Sequence, residues 1–511
     1  MRARTLGCAS AALLVVTATL GAAPAAHAVP THASSGPAVS VIVEAGDANA
    51  ARAAVVAAGG RVELDLTLVG GVSAVVDPAA LATLESDPAL TVVPDATLHA
   101  TSGSFAAASS AAPSSGLDPQ LRAMGIGDGE WSPTAGRGVA VALVDTGVAD
   151  TPDLRGSRLV RSPDFSGEGD GIDHYGHGTF MAGLIAGDGT ASAGSASHHV
   201  GVAPGATLVS VKVSGRDGST TISRVIAGIG WVVTHVDKYH IGVLNLSFGV
   251  DAPMPYTQNP LSAAVEAAWA SGITVVVSAG NNGSKVTSPG TDPYALTVGA
   301  VNTRGTAATS DDIVPTWSGH EVFRHYSKPN VAAPGISVIS LRAPGSTVDK
   351  GHATARVGTA YFRGTGTSMS TALVSGAAAV LLSHHPLATP DDIKGAVIDG
   401  AVPVTNGHEI NIDRADHATP TIAWNQHYPV AFKGLGRGLH NGMPWTASRW
   451  TATRWTATRW TASRWTASRW TATRWTATRW TATRWTATRW TATRWTATRW
   501  TSEAWPSQGW G

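Results

Sequence analysis

GTGTSMSTALVSGAAAV, Gly364 to Val380, reads as a glycine-flanked turn running into a tightly packed helix. Two Gly-Thr pairs lead to Ser368, and the residues from Ser370 to Ala379 are mostly small. Glycine lets the backbone adopt turn geometries that a side chain forbids. Alanine, glycine and serine let neighbouring elements approach the helix closely. A serine at a helix N-terminus sits among free backbone N–H groups and the positive end of the helix dipole. That environment favours a developing negative charge, as an acyl-transfer nucleophile requires. Taken alone, the same stretch is equally an N-cap serine on a buried Ala-rich helix. The other stretches choose between these readings.

Upstream of this helix, residues 117 to about 415 alternate apolar strands with helical segments, the pattern of an α/β domain with a parallel sheet. GVAVALVDTGV ends a buried strand at Asp145, and functional groups gather at the carboxyl ends of such strands. DHYGHGTFMAGLIAG places His177 between glycines at the start of an apolar helix. ATLVSVKV, IGVLNLSFG and ITVVVSAGNNG are further buried strands, and the last leads to Asn281 and Asn282 in a glycine-bounded loop. Each piece has a plain structural reading. An Asp ending a strand is a turn former, and Asn-Asn-Gly is a turn. His174 and His177 are half of a metal set that no cysteine or third histidine at ligand spacing completes.

Read together, the pieces meet one chemical need. A hydroxyl nucleophile needs a base, the base needs an acid to fix its tautomer, and the oxyanion needs a donor. Asp145, His177, Ser368 and Asn281 supply one residue for each role. The order Asp, His, Ser is that of subtilisin. VALVDTGV, GHGTFMAG, SAGNNG and GTSMSTA resemble the aspartate, histidine, asparagine and serine motifs of the subtilisin-like serine peptidases, the subtilases. GVAPGATLVSVKV, LNLSFG and KPNVAAPG resemble intervening family segments, so the likeness covers most of 135–400. Phe180 stands where the family usually has a second histidine. Ser370, Thr371 and Ala372 follow GTSM without the usual proline, and Leu373 replaces a frequent histidine. These departures touch helix geometry and substrate preference and leave the four chemical positions filled.

The resemblance implies a subtilisin-like parallel sheet flanked by helices and an endopeptidase that works through an acyl-enzyme. It implies an extended peptide substrate beside Ser247, Phe248 and Gly249, with the specificity pocket walled by these residues and by Ser278, Ala279 and Gly280. Aligning SPGTDPYALTVGAV with the family puts Thr287 near the pocket floor, where a glycine is frequent. No cofactor is implied for catalysis. Structural calcium is common in the family, and no ligand loop stands out in this sequence.

Working outward, residues 38–99 read as strand, helix, strand, strand, helix, strand. VSVIV is the first strand, Asp47 caps a helix that stops at Gly59-Gly60, and RVELDLTLV and VSAVVD form a hairpin about Gly70-Gly71. Pro78 opens PAALATLES, and ALTVVPDATL is the last strand. This α+β block resembles the family's propeptide, an inhibitory chaperone of its own peptidase. TSGSFAAASSAAPSSG, residues 101–116, has the small, uncharged composition of a linker and suits a maturation cut. At the N-terminus, Arg2 and Arg4, the apolar run Ala11–Leu20 and Ala26-His27-Ala28 form an export signal too short to span a membrane. The single cysteine, Cys8, lies within it, so the exported protein has no disulfide.

Beyond residue 415 a linker, 416–444, leads to a tail in which Trp-Thr-Ala-Ser/Thr-Arg recurs eleven times from Trp445 to Arg499. A period of five keeps Trp on one face of neither a helix nor a strand, and no common solenoid repeats this way. The tail, 445–511, carries eleven Arg and one Glu for a net +10, while the rest of the chain is −9, although the whole is only +1. Arg charge and Trp faces suit an anionic cell envelope or glycan surface without specific nucleic-acid recognition, and a membrane interface or a bare low-complexity extension also fits. The organisation is then signal peptide 1–28, propeptide 29–100, linker 101–116, peptidase 117–415, linker and tail. The expected function is a secreted, self-processed serine endopeptidase acting on proteins or peptides and held in check by its own propeptide, with wall association through the tail. The competing reading is an inactive surface-binding protein that acts through that tail.

Overall fold

The computed structural model describes residues 36–100, 104–105, 116–127, 131–250, 255–418 and 431. The signal, most of 101–116, most of the linker after 415 and the repeat tail lie outside the described residues. A nine-stranded sheet runs in the order Val402–Val404, Gly407–Glu409, Val331–Pro334, Leu296–Val301, Thr274–Ser278, Ile241–Leu246, Ala140–Asp145, Thr207–Lys212, Leu159–Arg161. Every neighbouring pair is parallel except the hairpin Val402–Val404 with Gly407–Glu409. The sheet is thus the expected parallel one flanked by helices, with a single antiparallel pair at one edge. Asn406, with φ 67°, turns that hairpin in the left-handed region, and a turn this tight reverses the strand.

Both faces of the sheet are covered, which is why its strands are apolar runs and not alternating ones. Val141 and Leu143 point to one side, where they meet the helices His177–Ala186 and Thr367–His384. Ala140, Ala142 and Val144 point to the other, against Ile222–Thr234 and Pro260–Ala270. The helix from Thr367 is buried without a break through Leu381, so its small residues let it run through the core with no polar face. The first strand of this sheet in chain order, Ala140–Asp145, lies between Thr207–Lys212 and Ile241–Leu246. Strand order reverses there, and in such sheets functional groups gather at the carboxyl ends of the strands beside the reversal.

The N-terminal block is a four-stranded antiparallel sheet in the order Arg61–Leu66, Gly71–Val76, Val39–Glu44, Thr91–Pro94. Its helices Ala48–Ala57 and Pro78–Glu85 are capped by Asp47 and Asp77, whose carboxylates accept from Ala50 N at 2.9 Å and Ala80 N at 2.8 Å. Val41, Val43, Val72, Ala74 and Val76 pack beneath these helices. Ile42, Leu66 and Val93 join the core around Ile222–Thr234. Asp95 fastens the join: its carboxylate accepts from Ser223 N at 2.9 Å and Ser223 Oγ at 2.6 Å, at the start of that helix.

ALTVVPDATL, expected as one strand, is two. Thr91–Pro94 closes the small sheet, and Thr97–Ala100 leaves it to lie between Ser219–Thr221 and Phe248–Gly249, antiparallel to both. Farther on, Ser104 and Thr365 exchange backbone hydrogen bonds of 3.0 and 2.8 Å. Gly116–Leu117 then pairs with Ser197–His198. Among the described residues no helix is long and apolar enough to cross a membrane.

Candidate active site

Asp145 closes the strand Ala140–Asp145 with both carboxylate oxygens buried. Its Oδ1 accepts from Thr146 N at 2.8 Å and meets His177 Nδ1 at 2.8 Å. A carboxylate only accepts, so Nδ1 carries the proton and Nε2 is left with a lone pair. Among the described residues His177 Nε2 accepts no hydrogen bond. The imidazole is thus fixed in the tautomer that a general base needs, with its basic nitrogen uncommitted.

His177 is the first residue of its helix, and the preceding Gly176, at φ 112°, has no side chain to cap it. Asp173 does that work from four residues upstream. Its Oδ1 accepts from Gly176 N at 2.6 Å, Tyr175 N at 3.1 Å and Thr146 Oγ1 at 2.8 Å. Its Oδ2 accepts from Thr179 N at 2.8 Å and Thr179 Oγ1 at 2.6 Å. Thr146 Oγ1 in turn accepts from Gly178 N at 2.8 Å. One buried carboxylate therefore ties the turn that carries Asp145 to the helix that carries His177. Burial pushes the Asp173 carboxyl up, and the donors from Thr179, Gly176 and Thr146 pull it back only in part. A Cβ at position 178 would collide with Gly147 O, so only glycine lets these two segments touch.

Ser368 is the second residue of its helix and is fully buried. Asn281 follows the strand Thr274–Ser278, and its Oδ1 accepts from Thr367 N at 3.0 Å and Thr367 Oγ1 at 3.1 Å. With the amide oxygen engaged beside Ser368, Nδ2 is the donor this side chain brings to the same place. Asp145 and His177 are joined directly, and Asn281 is joined to the residue before Ser368.

The residues expected to bind substrate lie close together and are mostly buried. Phe248–Gly249 pairs with the segment ending at Ala100, and Val250 and Ser288 exchange hydrogen bonds of 3.1 and 2.9 Å. Thr287 N donates to Ala279 O at 3.1 Å, and a Cβ on Gly280 would lie 2.8 Å from Thr287 Cγ2. Thr287 thus stands directly behind the wall Ser278, Ala279, Gly280. Ser247 is buried, with its Oγ accepting from Asn245 Nδ2 at 3.1 Å.

Sequence reasoning missed three contributors. Ser219–Thr221 pairs with Thr97–Ala100 on the side opposite Phe248–Gly249; its signal was the Asp-Gly turn before a short β-branched run. Asp173 was visible as an Asp just ahead of a helix start. Thr367 lay inside the serine motif, but its hold on Asn281 joins residues 86 apart.

Among the described residues no group of three or more His, Cys, Asp or Glu could hold a metal ion. The acidic groups beside the loop after His177–Ala186 are already engaged, Asp153 by Gly189 N, Ala191 N and Tyr361 OH, and Asp188 by Arg158. They do not fit a calcium site.

Serine protease AprX of Bacillus subtilis (strain 168) is 39% identical over 276 residues, covering 52% of this chain and 61% of AprX. Subtilisin DY of Bacillus licheniformis is 33% identical over 266 residues, covering 51% of this chain and 82% of that protein. Subtilisin NAT of Bacillus subtilis subsp. natto is 31% identical over 347 residues, 66% of this chain and 76% of its own. In fold the chain is similar to fervidolysin from Fervidobacterium pennivorans, described as a keratinolytic enzyme related to subtilisin, with a TM-score of 0.60 at 24% identity over 75% of this chain and 61% of that one. Residues 136–422, more than half of the sequence, match the model of the subtilase family, and the strand end, helix starts and loop just described all fall within that match: the chain belongs to the subtilase family.

Proposed function

We propose that the chain is a secreted serine endopeptidase made as a self-processed zymogen. The observation that carries this reading is the Asp145–His177 hydrogen bond of 2.8 Å with Nε2 uncommitted, inside a fold where Asn281 is held beside Ser368. Ser368 Oγ attacks the peptide carbonyl while His177 Nε2 takes its proton. Asp145 stabilises the imidazolium, and Asn281 Nδ2 with the Ser368 N–H takes the charge on the oxyanion. The imidazolium then protonates the leaving amine, and water hydrolyses the acyl-enzyme with His177 again as base.

Self-processing is supported by the path of the chain. Thr97–Ala100 occupies the cleft as a substrate strand would, and Ser104 is held at Thr365, three residues before Ser368. The scissile bond therefore falls between Ala100 and Ser104, at the start of the linker. Asp95 and the Ile42–Leu66–Val93 contact explain how the block before it stays attached and inhibits. The tail from Trp445 adds retention on an anionic envelope, and truncation after Met443 should remove that retention.

Labelling with a serine-directed fluorophosphonate tests the activity. Wild type should label and Ser368→Ala should not; a folded wild-type protein that takes no label would favour the inactive, tail-driven binder. Ser368→Ala should also accumulate uncut, and wild type should begin between Thr101 and Ser104 by N-terminal sequencing. Trimming of Ser368→Ala to the same terminus in a protease-free host would refute the cut in cis.

A further inference from the structure

The cleft binds one of its own side chains at a place that neither the catalytic residues nor the pocket behind Gly280 accounts for. Phe105, next to the Ser104 that pairs with Thr365, is 7% exposed although it lies in a stretch of small polar and Ala residues. Its ring meets Phe180 edge-on at 5.9 Å and 70°, Phe362 at 5.5 Å and 64°, and His352 at 5.8 Å and 47°. These are the offset, tilted geometries aromatic pairs prefer. The floor is Gly364, where a Cβ would stand 3.1 Å from Phe105 Cε1 and 2.6 Å from Met369 Cε. Any larger residue at 364 would enter the space the ring and Met369 share.

The position of this pocket gives it a role. Phe180 is one helical turn after His177, and Met369 follows Ser368, so the pocket adjoins the reacting bond. The chain reaches it after passing Ala100 and then Ser104, which puts Phe105 on the leaving-group side of the bond that is cut. We propose that Phe180, Phe362, Gly364 and Met369 form a specificity pocket for a large aromatic side chain of the substrate, one residue beyond that paired with Thr365. This rests on the endopeptidase reading. Backbone pairing with Ser219–Thr221, Phe248–Gly249 and Thr365 is indifferent to sequence, so it lets a peptide slide in register. A buried aromatic ring fixes the register and so selects the bond. Phe180, at the family's usual histidine position, supplies an apolar wall.

The test uses the self-processed enzyme and the synthetic peptide TLHATSGSFAAASS, which is residues 97–110. Replacing its Phe by Ala should lower kcat/KM by roughly 10- to 100-fold, the range expected for loss of one buried aromatic side chain. Moving the Phe one place later, in TLHATSGSAFAASS, should move the cleaved bond one residue later by mass spectrometry. Gly364→Ala should bring the rates on the Phe and Ala peptides together. Because all peptides compete with the enzyme's own Phe105 alike, the ratio of kcat/KM values is free of that competition. A wild-type protein that takes the fluorophosphonate label but cuts the Phe and Ala peptides equally, cuts neither, or keeps its cut when Phe moves overturns the pocket and leaves the peptidase reading standing. A protein that takes no label overturns both.

Discussion

Asp173→Asn tests whether the base is held in place from outside the catalytic set. The carboxylate accepts five hydrogen bonds, three on Oδ1 and two on Oδ2, from donors in Thr146, Tyr175, Gly176 and Thr179. An asparagine has the same shape but presents an NH₂ on one side, so at least one buried backbone N–H faces a donor in either orientation. Thr146 and Thr179 can turn their hydroxyls; the N–H groups of Tyr175, Gly176 and Thr179 cannot. Leaving one buried donor unsatisfied costs about 1–3 kcal/mol, and hydrogen bonds to a charged acceptor are worth about 1.5–3 kcal/mol. A loss of about 2–5 kcal/mol follows, which for a domain of this size lowers Tm by roughly 5–15 °C. Calorimetry should be run on the Ser368→Ala background, where self-digestion cannot distort the transition. In the active background, release of the Gly176–Thr179 turn moves His177, and displacement on the order of 1 Å costs about 10²-fold in rate. The loss should fall more on kcat than on KM, because this turn carries the proposed base, whereas the substrate backbone is expected to pair with Ser219–Thr221 and Phe248–Gly249. Thr179→Val, which removes the hydroxyl's bond to Asp173 and the one it accepts from Ala149 N but keeps the Thr179 N–H on Asp173, should be milder in both respects. A Tm within about 1 °C of the parent together with an unchanged kcat would refute the argument that this carboxylate positions the base.

Asn281→Ala should lower kcat by roughly 10²–10³ with little change in KM, the loss known for the oxyanion-hole asparagine of subtilisin; an effect on KM alone would make Asn281 a turn residue. Thr287→Gly should deepen the pocket behind Gly280 and shift preference on the acyl side of the bond from medium apolar to aromatic side chains, and a peptide library with Phe or Tyr already preferred by wild type would count against it. Glu409 is fully buried on the strand beside the sheet edge and faces the buried Asp312 carboxyl, with no other donor to either group among the described residues. Burial, reinforced by the facing Asp312 carboxyl, pushes Glu409 up to about 10. The unfolded chain releases this proton near the ordinary 4.5 and the folded one keeps it, so stability falls as pH climbs between those values. Glu409→Gln should flatten that fall in Tm, and parallel pH slopes for the two proteins would contradict it.

Much of the site was legible because each of its parts is local. Asp145 ends an apolar run, His177 follows Gly176 and Ser368 comes two residues after Gly366, each at the start of a helix, and Asn281 sits in a glycine-bounded loop; strand ends and helix starts leave marks within a few residues. What was hidden joins parts of the chain far apart. Pro94-Asp95-Ala96 breaks ALTVVPDATL into strands of two different sheets because Asp95 caps a helix 128 residues later, and no local pattern announces that cap. The antiparallel edge at Gly407–Glu409 depends likewise on Asn406 taking a positive φ. Residues 101–116 are the sharpest case. Their composition marks a linker, since such residues have little preference for helix or strand. That same lack of preference is what a self-cleaved segment needs, because a stretch committed to a helix would have to unfold before it could lie extended in the cleft. Phe105 is the one aromatic among these sixteen residues. In a passive linker it would be an exposed apolar side chain with no purpose. Under the proposed self-cleavage, where this segment presents one bond to Ser368, it is the anchor that decides which bond that is.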